Sequence, residues 1–319
     1  MKKIVAAGSI IVDKINIIDA YPHAGELVQI RSRSRAGGGL VHNTGRDIRK
    51  LAPEIPVSAF GKVGDDEDGR FVTAELESSG MDVSGVKVSA SVGTSFTDVM
   101  SVSGGERTFF AYAGACAEWG YDDFPFEAVN PGDIVLMGYF LLLEKIDGGD
   151  GLRILKELKR RGAMTAIDLV TENSDRYSLV RECLPYVDYL VINEIEAARI
   201  VGREMSPEEL CRALMELGVR ERVVIHMPER GVTLVRGGEA VSRPSLDIPR
   251  ELIRGKTGAG DAYCAGVLTG IYRGAADEDI LELGALAAIG ALTHVGAVEG
   301  VKPEKELREL VARFNNTSC

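Results

Sequence analysis

Cysteine is scarce in this chain, and its spacing suggests no pairing. Five cysteines are scattered over 319 residues, and no two of them form a Cys-x-x-Cys pair or accompany a histidine cluster. An odd and dispersed set excludes a disulfide framework, and the missing ligand spacing excludes the usual zinc sites. Cys183, Cys211 and Cys264 lie within apolar helical patterns and are predicted to be small core residues.

Positive charge is also in short supply. Lys and Arg total 37 against 48 Asp and Glu, which gives a formal net charge of −11. Binding of nucleic acid or of a membrane surface needs a basic footprint, so neither partner is expected. The longest uncharged apolar run, residues 134–143, is shorter than the roughly 20 residues that span a bilayer. Asp13 interrupts the apolar N-terminal stretch before a signal peptide is complete, and a cytoplasmic protein is therefore expected.

What the chain does have is a regular alternation of short β-rich runs with amphipathic helical ones. The predicted core strands are 4–7, 57–60, 134–137, 165–167, 189–192 and 223–226. The predicted helices include 151–161 and 207–217, and a nearly all-helical C-terminal region comprises 258–273, 277–293 and 303–314. This alternation indicates parallel βαβ units, and hence an α/β fold with helices on both faces of a mostly parallel sheet.

Two stretches break this rhythm, because no helix follows them. Residues 28–35 alternate strictly between apolar or small and polar side chains, and 94–113 is a second β-type stretch split by a Ser-Gly-Gly-Glu turn at 103–106. A parallel crossover needs a helix, so these stretches are predicted to form a small antiparallel sheet. We expect one domain, 1–319, in which segments at about 14–36 and 91–113 form a lid over one edge of the α/β core.

A glycine-rich segment before the C-terminal helices carries the first candidate chemistry. Residues 254–261 read Arg-Gly-Lys-Thr-Gly-Ala-Gly-Asp. This is not a phosphate-binding P-loop, since the first glycine of that motif would fall at Arg250 and no strand precedes it. Backbone N–H groups of 258–260 at a helix N-terminus can hold an anion, and Asp261 can accept a proton from a hydroxyl nucleophile. A plain glycine-rich helix cap explains the same residues equally well.

Two earlier segments have similar character. Gly37, Gly38 and Gly39 allow close backbone approach to a ligand, and Asn43 follows them with an amide that both donates and accepts hydrogen bonds. The segment Gly-Ser-Ile-Ile-Val-Asp ends at Asp13, just past the first predicted strand. Ligands in open α/β sheets bind at the carboxyl ends of the strands, so Asp13 is a candidate ligand contact.

The order and spacing of these segments resemble the ribokinase-like (PfkB) family of carbohydrate kinases over essentially the whole chain. The matching motifs are Gly-Ser-Ile-x-x-Asp at Asp13, Gly-Gly-x-x-x-Asn at 38–43, Gly-x-Val-Gly-x-Asp at 61–66, Asn-x-x-Glu at 193–196 and Gly-Ala-Gly-Asp at 258–261. The resemblance implies a ribokinase-like three-layer αβα sandwich with a small antiparallel β lid. It also implies ATP-dependent phosphorylation of a hydroxymethyl group on a small sugar or sugar derivative.

The resemblance further implies roles for individual residues. Asp261 resembles the base that deprotonates the attacking sugar hydroxyl. Gly258, Ala259 and Gly260 resemble the anion hole that stabilises the transferring phosphoryl group. Asn193 and Glu196 resemble the pair that organises the ATP phosphates and Mg²⁺, with Glu196 acting through water. The other implied nucleotide-binding residues are His226, Gly231, Lys256 and Thr257. The implied substrate contacts are Asp13, Gly38, Gly39, Asn43 and, in the second lid stretch, Arg107.

Three departures from the family pattern concern the nucleotide side. Gly255 stands where many members have an aspartate that helps to build a monovalent-cation site. We therefore expect no activation by K⁺, with the Lys256 ammonium as either a fixed cation or a solvated group. His226 and Pro228 replace a threonine and a glycine near the nucleotide. Residues 168–170 read Asp-Leu-Val, where many sugar kinases have Asp-x-Asn.

The lid is expected to select the substrate. Arg31, Arg33 and Arg35 alternate and share one face, which either binds an acidic sugar or is the charged surface of an exposed edge strand. The second stretch carries aromatic residues that shield the reaction, stack on a base, pack the lid or make a dimer contact: Phe96, Phe109, Phe110 and Tyr112. A homodimer through the lid is expected. Trp119 and Tyr139 either contact the substrate or lie in the core, and the core is favoured for both; His42 has no assigned role.

Three other interpretations of the function are weighed against a sugar kinase. A nucleoside kinase of the same family would stack a base on the lid aromatics. A catalytically silent sugar- or nucleotide-binding regulator is suggested by the altered nucleotide positions, although Asp261, Asn193 and Glu196 are intact. A dinucleotide-dependent oxidoreductase is disfavoured, because no Gly-x-Gly-x-x-Gly follows the first strand.

Overall fold

The computed structural model describes residues 2–102, 107–172, 175–228, 230–235, 237–246 and 248–317. The strands in these ranges are β1 (Ile4–Gly8), β2 (Ile11–Ile18), β3 (Ile30–Gly38), β4 (Val57–Gly64), β5 (Asp82–Ser89), β6 (Phe96–Val102), β7 (Arg107–Tyr112), β8 (Ile134–Phe140), β9 (Met164–Leu169), β10 (Tyr189–Asn193), β11 (Arg222–His226), β12 (Arg230–Val235) and β13 (Ala240–Pro244). The α-helices are α1 (Leu40–Leu51), α2 (Glu67–Ser78), α3 (Gly114–Glu118), α4 (Gly151–Arg160), α5 (Ser178–Cys183), α6 (Glu194–Val201), α7 (Pro207–Glu216), α8 (Ala259–Arg273), α9 (Asp277–Leu292) and α10 (Glu304–Thr317).

The larger sheet has the strand order β13-β12-β11-β10-β9-β8-β1-β4-β5. Its pairs from β11 to β5 are parallel, whereas β12 and β13 are antiparallel additions at one edge. Successive strand residues point to opposite faces. Accordingly, Val5 and Ala7 pack into one core with α4, α6 and α7, while Ile4 and Ala6 pack into another with α1, α8 and α9. The predicted mostly parallel sheet with helices on both faces is thereby confirmed.

Each predicted core strand is present, and the strands that the sequence did not indicate lie at the edges. β5 reads Asp-Val-Ser-Gly-Val-Lys-Val-Ser and keeps several positions exposed, so its apolar signal is diluted. β12 and β13 extend the opposite edge, where the antiparallel hairpin follows β11 directly. An edge strand contacts the core with fewer side chains than a central one, so its apolar pattern is weaker.

The C-terminal helices are also as predicted, and they pack unusually closely. A Cβ atom on Gly266 of α8 would lie 2.2 Å from the backbone oxygen of Leu283 in α9, so only glycine fits there. The close contact fixes the axis of α8, and with it the position of the glycine-rich segment that precedes it. Cys183, Cys211 and Cys264 are buried, unpaired core residues as expected, and Cys116 is buried as well.

The smaller sheet, formed by β3, β2, β6 and β7 in that order, is the predicted antiparallel sheet. The β2–β3 and β6–β7 pairs are antiparallel, and the central β2–β6 pair is parallel. The predicted turn at 103–106 lies outside the described residues. That segments 14–36 and 91–113 act as a lid within one domain, 1–319, stays a prediction. No helix that the structure describes is long and apolar enough to cross a membrane.

Register gives the smaller sheet two distinct faces. Asp13 pairs with Thr97, and Thr97 pairs with Ala111. Arg107 and Phe109 alternate with Ala111 along β7, so they project to the same side of the sheet as Ala111. We call this side the Asp13 face. Lys14 pairs with Arg35 and with Asp98, and these residues lie on the opposite side, the Lys14 face. Paired residues in neighbouring strands project to the same side of a sheet, so the pairing alone assigns the faces.

Candidate active site

The centre of the site is Asp261 in the first turn of α8. The preceding Gly258 adopts a left-handed conformation with φ 77°. A Cβ atom there would lie 2.3 Å from the backbone oxygen of Ala297, so this turn requires glycine. The backbone N–H groups that follow, including those of Ala259 and Gly260, form the N-terminus of a 15-residue helix. Although the Ala259 N–H also donates to the Lys256 backbone oxygen over 3.3 Å, the N–H groups of a helix N-terminus and the helix dipole together attract an anion.

Asp261 is buried and receives hydrogen bonds from two side chains. Asn43 Nδ2 donates to Asp261 Oδ2 over 3.0 Å. The Tyr139 hydroxyl lies 2.9 Å from each of the two carboxylate oxygens. Burial raises the pKa of Asp261, and the hydrogen bonds from Asn43 and Tyr139 oppose that rise. A carboxylate with a raised pKa and a defined orientation suits general-base work.

Helix α1 holds Asn43 in place. It starts after Gly39, whose φ is 82° and whose added Cβ would lie 2.6 Å from the backbone oxygen of Ser9. His42 Nδ1 lies 3.1 Å from Asn43 Oδ1, and Arg46 Nη1 lies 2.7 Å from His42 Nε2. With its oxygen facing His42, the Asn43 amide must present its NH₂ group to Asp261. His42 thus positions Asn43; its i, i+4 spacing with Arg46 was the only sequence signal for this role.

Asp13 lies beside this arrangement on β2. A Cβ atom on Gly38 would be 2.8 Å from Asp13 Oδ2, so a side chain at Gly38 would displace the carboxylate. Burial raises the pKa of Asp13 to about 6, against the lowering effects of His42 and of a hydrogen bond from Thr97. The structure therefore brings Asp13, Gly38, Gly39 and Asn43 together on one side of Asp261.

Asn193 and Glu196 lie on the other side of Asp261, where β10 meets α6. Asn193 Oδ1 accepts from the Glu196 backbone N–H over 2.9 Å, and Glu196 Oε2 accepts from the Asn193 N–H over 3.1 Å. This reciprocal pair is a capping box, which gives the Asn-x-x-Glu motif a structural role in addition to any catalytic one. The Thr171 hydroxyl donates to Glu196 Oε1 over 2.8 Å. Burial raises the pKa of Glu196.

A cavity of about 170 Å³ joins these groups, and its wall includes Asp168, Thr171, Glu196, Gly258 and Asp261. Asp168 follows directly from the core of β9, and sequence reasoning gave it no role. Burial and the negative charges of Asp261 and Glu196 raise its pKa well above the usual range. Carboxylate and hydroxyl oxygens are the donors that Mg²⁺ prefers. Across the described residues no three acidic, histidine or cysteine side chains converge in a way that could hold a metal ion by themselves.

A second cavity of about 600 Å³ continues from the first and shares Asn193, His226 and Gly260 with it. Its apolar lining includes Met227, Leu246, Ile253, Ala288, Ile289 and Leu292. His226 stacks on the Tyr263 ring with 4.8 Å between ring centroids. Burial lowers the pKa of His226 to about 4, so the imidazole is neutral at pH 7. The two cavities thus form one cleft that runs from Tyr139 and Asp261 to an apolar chamber.

The other candidate nucleotide residues divide into two groups. Lys256 lines the apolar chamber and is exposed. Thr257 is exposed just before Gly258 and lines neither cavity. Gly231 pairs with His226, yet its role is packing, since a Cβ atom there would lie 2.2 Å from the Tyr263 hydroxyl. The structure therefore separates Thr257 and Gly231 from the cleft.

The arginine face of the lid points away from the site, so an acidic-sugar site formed by those arginines is wrong. Arg33 pairs with Asn16 and Arg35 with Lys14, which places both on the Lys14 face, opposite Asp13. Arg35 instead forms an ion pair with Glu67 at 2.8 Å. The alternative, an exposed charged strand, is the one observed. Arg107 is exposed on the Asp13 face.

Trp119 and Tyr139 meet different outcomes. Trp119 is fully buried in the core, as predicted. Tyr139 is half-buried: it packs against the core that contains α1, α8 and α9, while its hydroxyl contacts Asp261. A one-residue bulge re-aims its side chain, because Gly138 pairs with Asp168 and Phe140 with the next residue, Leu169. Such a bulge leaves no sequence signal.

Comparisons with known proteins agree with this geometry. The ribokinase of Arabidopsis thaliana is 24% identical over 318 residues, which span 97% of this chain and 80% of the relative. Its structure, solved with ribose and ATP, matches with a TM-score of 0.84 at 23% identity, covering 98% of this chain and 99% of that one. A putative ribokinase II from E. coli, solved with ATP and Mg²⁺, matches with a TM-score of 0.81 at 17% identity over 98% and 100% of the two chains. A cytidine kinase of Thermococcus kodakarensis is 35% identical over 137 residues, 42% of this chain and 48% of that one.

The fold and the family comparison define a phosphotransferase that uses an alcohol group as acceptor, a sugar kinase. The family model for pfkB family carbohydrate kinases matches residues 1–305. The chain belongs to this family, as the sequence motifs predicted.

Proposed function

We propose that this enzyme transfers the γ-phosphate of ATP to a hydroxymethyl group of a small sugar or sugar derivative in the cytoplasm. One observation carries the proposal: the buried Asp261 carboxylate lies at the N-terminus of α8, in the wall of the small cavity that continues into the apolar chamber. A base and an anion-attracting helix terminus are thereby adjacent. Phosphoryl transfer depends mainly on positioning and charge stabilisation, and this arrangement supplies both.

The chain's own groups divide the work as follows. Asp261 accepts the proton of the acceptor hydroxyl while the oxygen of that hydroxyl bonds to the γ-phosphorus. ADP then departs with the bridging oxygen. The N–H groups of Gly258, Ala259 and Gly260 stabilise the charge on the phosphoryl oxygens. Asn43, held by His42, keeps the carboxylate aimed at the acceptor. Asp13 and the backbone at Gly38 and Gly39 bind the acceptor's other hydroxyl groups.

The apolar chamber receives the nucleobase, with Lys256 at its rim and the neutral His226 beside the phosphates. Asn193, Glu196, Asp168 and Thr171 would hold the Mg²⁺ of the nucleotide. When bound, this ion neutralises charge on the phosphates. The oxygen donors of the small cavity fit that ion, and two structural neighbours were solved with ATP.

The experiment is an ATP-consumption assay over sugars, sugar acids, sugar phosphates and nucleosides. Asp261→Asn keeps the side-chain size and removes the base, so turnover of the active acceptor falls by about 100-fold or more. Asp279→Asn, in the first turn of α9, is the matched control and leaves turnover unchanged. Binding of ATP or sugar without turnover of any acceptor would support a silent regulator and contradict the kinase proposal.

A nucleoside acceptor is the second candidate, favoured by a specific observation. Phe109 is 63% exposed on the Asp13 face, where its ring is free to stack on a base. The similarity to a cytidine kinase agrees with this candidate. The same panel of acceptors distinguishes a nucleoside from a sugar acceptor. If the acceptor is a nucleoside, Phe109→Ala should raise KM for the nucleoside and leave KM for a free sugar unchanged.

We also propose that two chains associate through the smaller sheet. Several large apolar side chains on or beside this sheet are exposed: Leu27, Ile30, Phe109, Phe110 and Tyr112. Of these, Ile30, Phe110 and Tyr112 share the Lys14 face, and exposed apolar side chains gathered on one surface are typical of an interface. Light scattering should give the mass of a dimer, and Phe110→Asp, on the Lys14 face, should reduce it to a monomer.

A further inference from the structure

Tyr139 stands in front of the catalytic carboxylate in a position that a substrate needs. Its hydroxyl lies at the same distance, 2.9 Å, from Oδ1 and Oδ2 of Asp261. A hydroxyl at the same distance from both oxygens is shared between them and covers the side of the carboxylate that it faces. A hydroxyl that is to lose its proton must come within about 2.6–3.2 Å of the base. The phenol satisfies that distance and occupies this approach.

The backbone beneath the phenol is strained. Tyr139 has φ 23° and Leu141 has φ 79°, and positive φ is costly for bulky residues. Phe140 lies between them with its side chain anchored in the core. Tyr139 is also the extra residue of the β8 bulge. Strained residues of this kind cluster where a segment has two arrangements, since a change of conformation relieves the strain.

The phenol can donate a proton in a hydrogen bond, but it cannot act as the base. Burial and the negative charges of Asp261 and Asp168 raise the pKa of Tyr139 well above its usual range, so the hydroxyl stays protonated. Asn43 already occupies one further position on Oδ2. With both donors in place, each oxygen of the Asp261 carboxylate already accepts at least one hydrogen bond.

We propose that Tyr139 is a displaceable cap on Asp261. This inference rests on the proposed role of Asp261 as base. In the enzyme without acceptor, the phenol holds the position of the reacting hydroxyl and withholds the base from water. The acceptor hydroxyl then replaces the phenol, and the strained bulge relaxes as Tyr139 moves aside. The cap suppresses wasteful hydrolysis of ATP and adds a displacement cost to acceptor binding.

The test compares Tyr139→Phe with the matched control Tyr272→Phe, whose hydroxyl contacts the Lys2 backbone oxygen away from the cleft. Without acceptor, Tyr139→Phe should hydrolyse ATP about 10-fold faster, because water reaches the uncapped base. With acceptor, its KM should fall about 3-fold, since no cap has to be displaced. Tyr272→Phe should change neither value. Should Tyr139→Phe not fold, Tyr139→Met keeps an apolar side chain at the bulge and has the same expected results.

A second comparison separates this inference from the proposed function. In a Tyr139→Phe, Asp261→Asn double variant the added hydrolysis should disappear; added hydrolysis that persists would overturn the cap. Unchanged hydrolysis with a lower kcat/KM would also overturn it and make Tyr139 a fixed positioning residue. If no acceptor is phosphorylated by any variant, the kinase proposal fails. The Asp261-dependent rise in hydrolysis still supports the cap in that case.

Discussion

The two sheets hold their candidate-site residues by different physical means. The larger sheet and its helices bury Asp261 and Glu196 and surround each with hydrogen bonds of 2.8–3.1 Å. On the smaller sheet, Arg107 and Phe109 share the Asp13 face but are exposed. Burial and hydrogen bonding fix the groups that do chemistry, whereas register alone decides which groups of the smaller sheet face the acceptor. Changes on the first side should therefore affect kcat, and those on the second side KM.

The largest effect in this comparison should come from Glu196→Gln. The amide keeps an oxygen that accepts from the Asn193 N–H, so the helix cap survives while the charge near the phosphates is lost. We expect kcat to fall by up to about 100-fold, as for the loss of a group that orients a metal site. Kinetics with saturating acceptor, together with thermal melting, measure the two roles separately.

The chain contains a control for this variant in α7. There Ser206 and Glu209 form an equivalent capping box, with Glu209 Oε2 accepting from the Ser206 N–H over 3.0 Å. Glu209→Gln should match Glu196→Gln in melting temperature and leave kcat unchanged. Equal loss of activity in both variants would reduce Glu196 to a helix cap.

Asp13→Asn should have the next largest effect, on KM. Loss of a charged hydrogen-bond acceptor raises KM for the acceptor by about 10-fold. Because the pKa of Asp13 is raised to about 6, the wild-type carboxylate is ionised above that pH and protonated below it. The kcat/KM of the wild type should fall as pH drops through about 6. This acidic limb of the pH profile should be absent from Asp13→Asn. A limb that persists in Asp13→Asn would assign it to another group.

The same contrast explains what the sequence could predict. The sequence predicts the central strands and the C-terminal helices because the apolar residues of a buried element recur with a fixed period. It also predicts the motif residues, since a tight turn such as the one at Gly258 requires glycine. The role of His42 was missed, since it acts only through Asn43 across a helix surface. The contact of Tyr139 with Asp261 depends on a one-residue bulge that alternation rules do not register. The arginine face was ambiguous because alternation shows that residues share a face but not which face meets the cleft.

A matched pair of arginines tests that assignment of faces. Arg107 lies on the Asp13 face and Arg33 on the Lys14 face, and both are exposed. Arg107→Ala should raise KM for the acceptor about 3-fold, which is what an exposed polar contact is worth. Arg33→Ala should leave KM unchanged. The reverse order would mean that the smaller sheet presents its other face to the acceptor.

The smallest expected effect is that of monovalent cations on the rate. It tests how rigidly the larger sheet and its helices hold their site residues. The loop at 295–299 packs directly beneath Gly258, as the contact with Ala297 requires. Lys50 on α1 donates from its ammonium to the backbone oxygen of Val298, 2.5 Å away. The Lys50 ammonium is thus a fixed cation on the loop that packs beneath Gly258. Rates in Na⁺, K⁺ and Tris buffers should be equal, and Lys50→Met should lower kcat. A large stimulation of the wild-type enzyme by K⁺ would mean that this side needs a mobile ion after all.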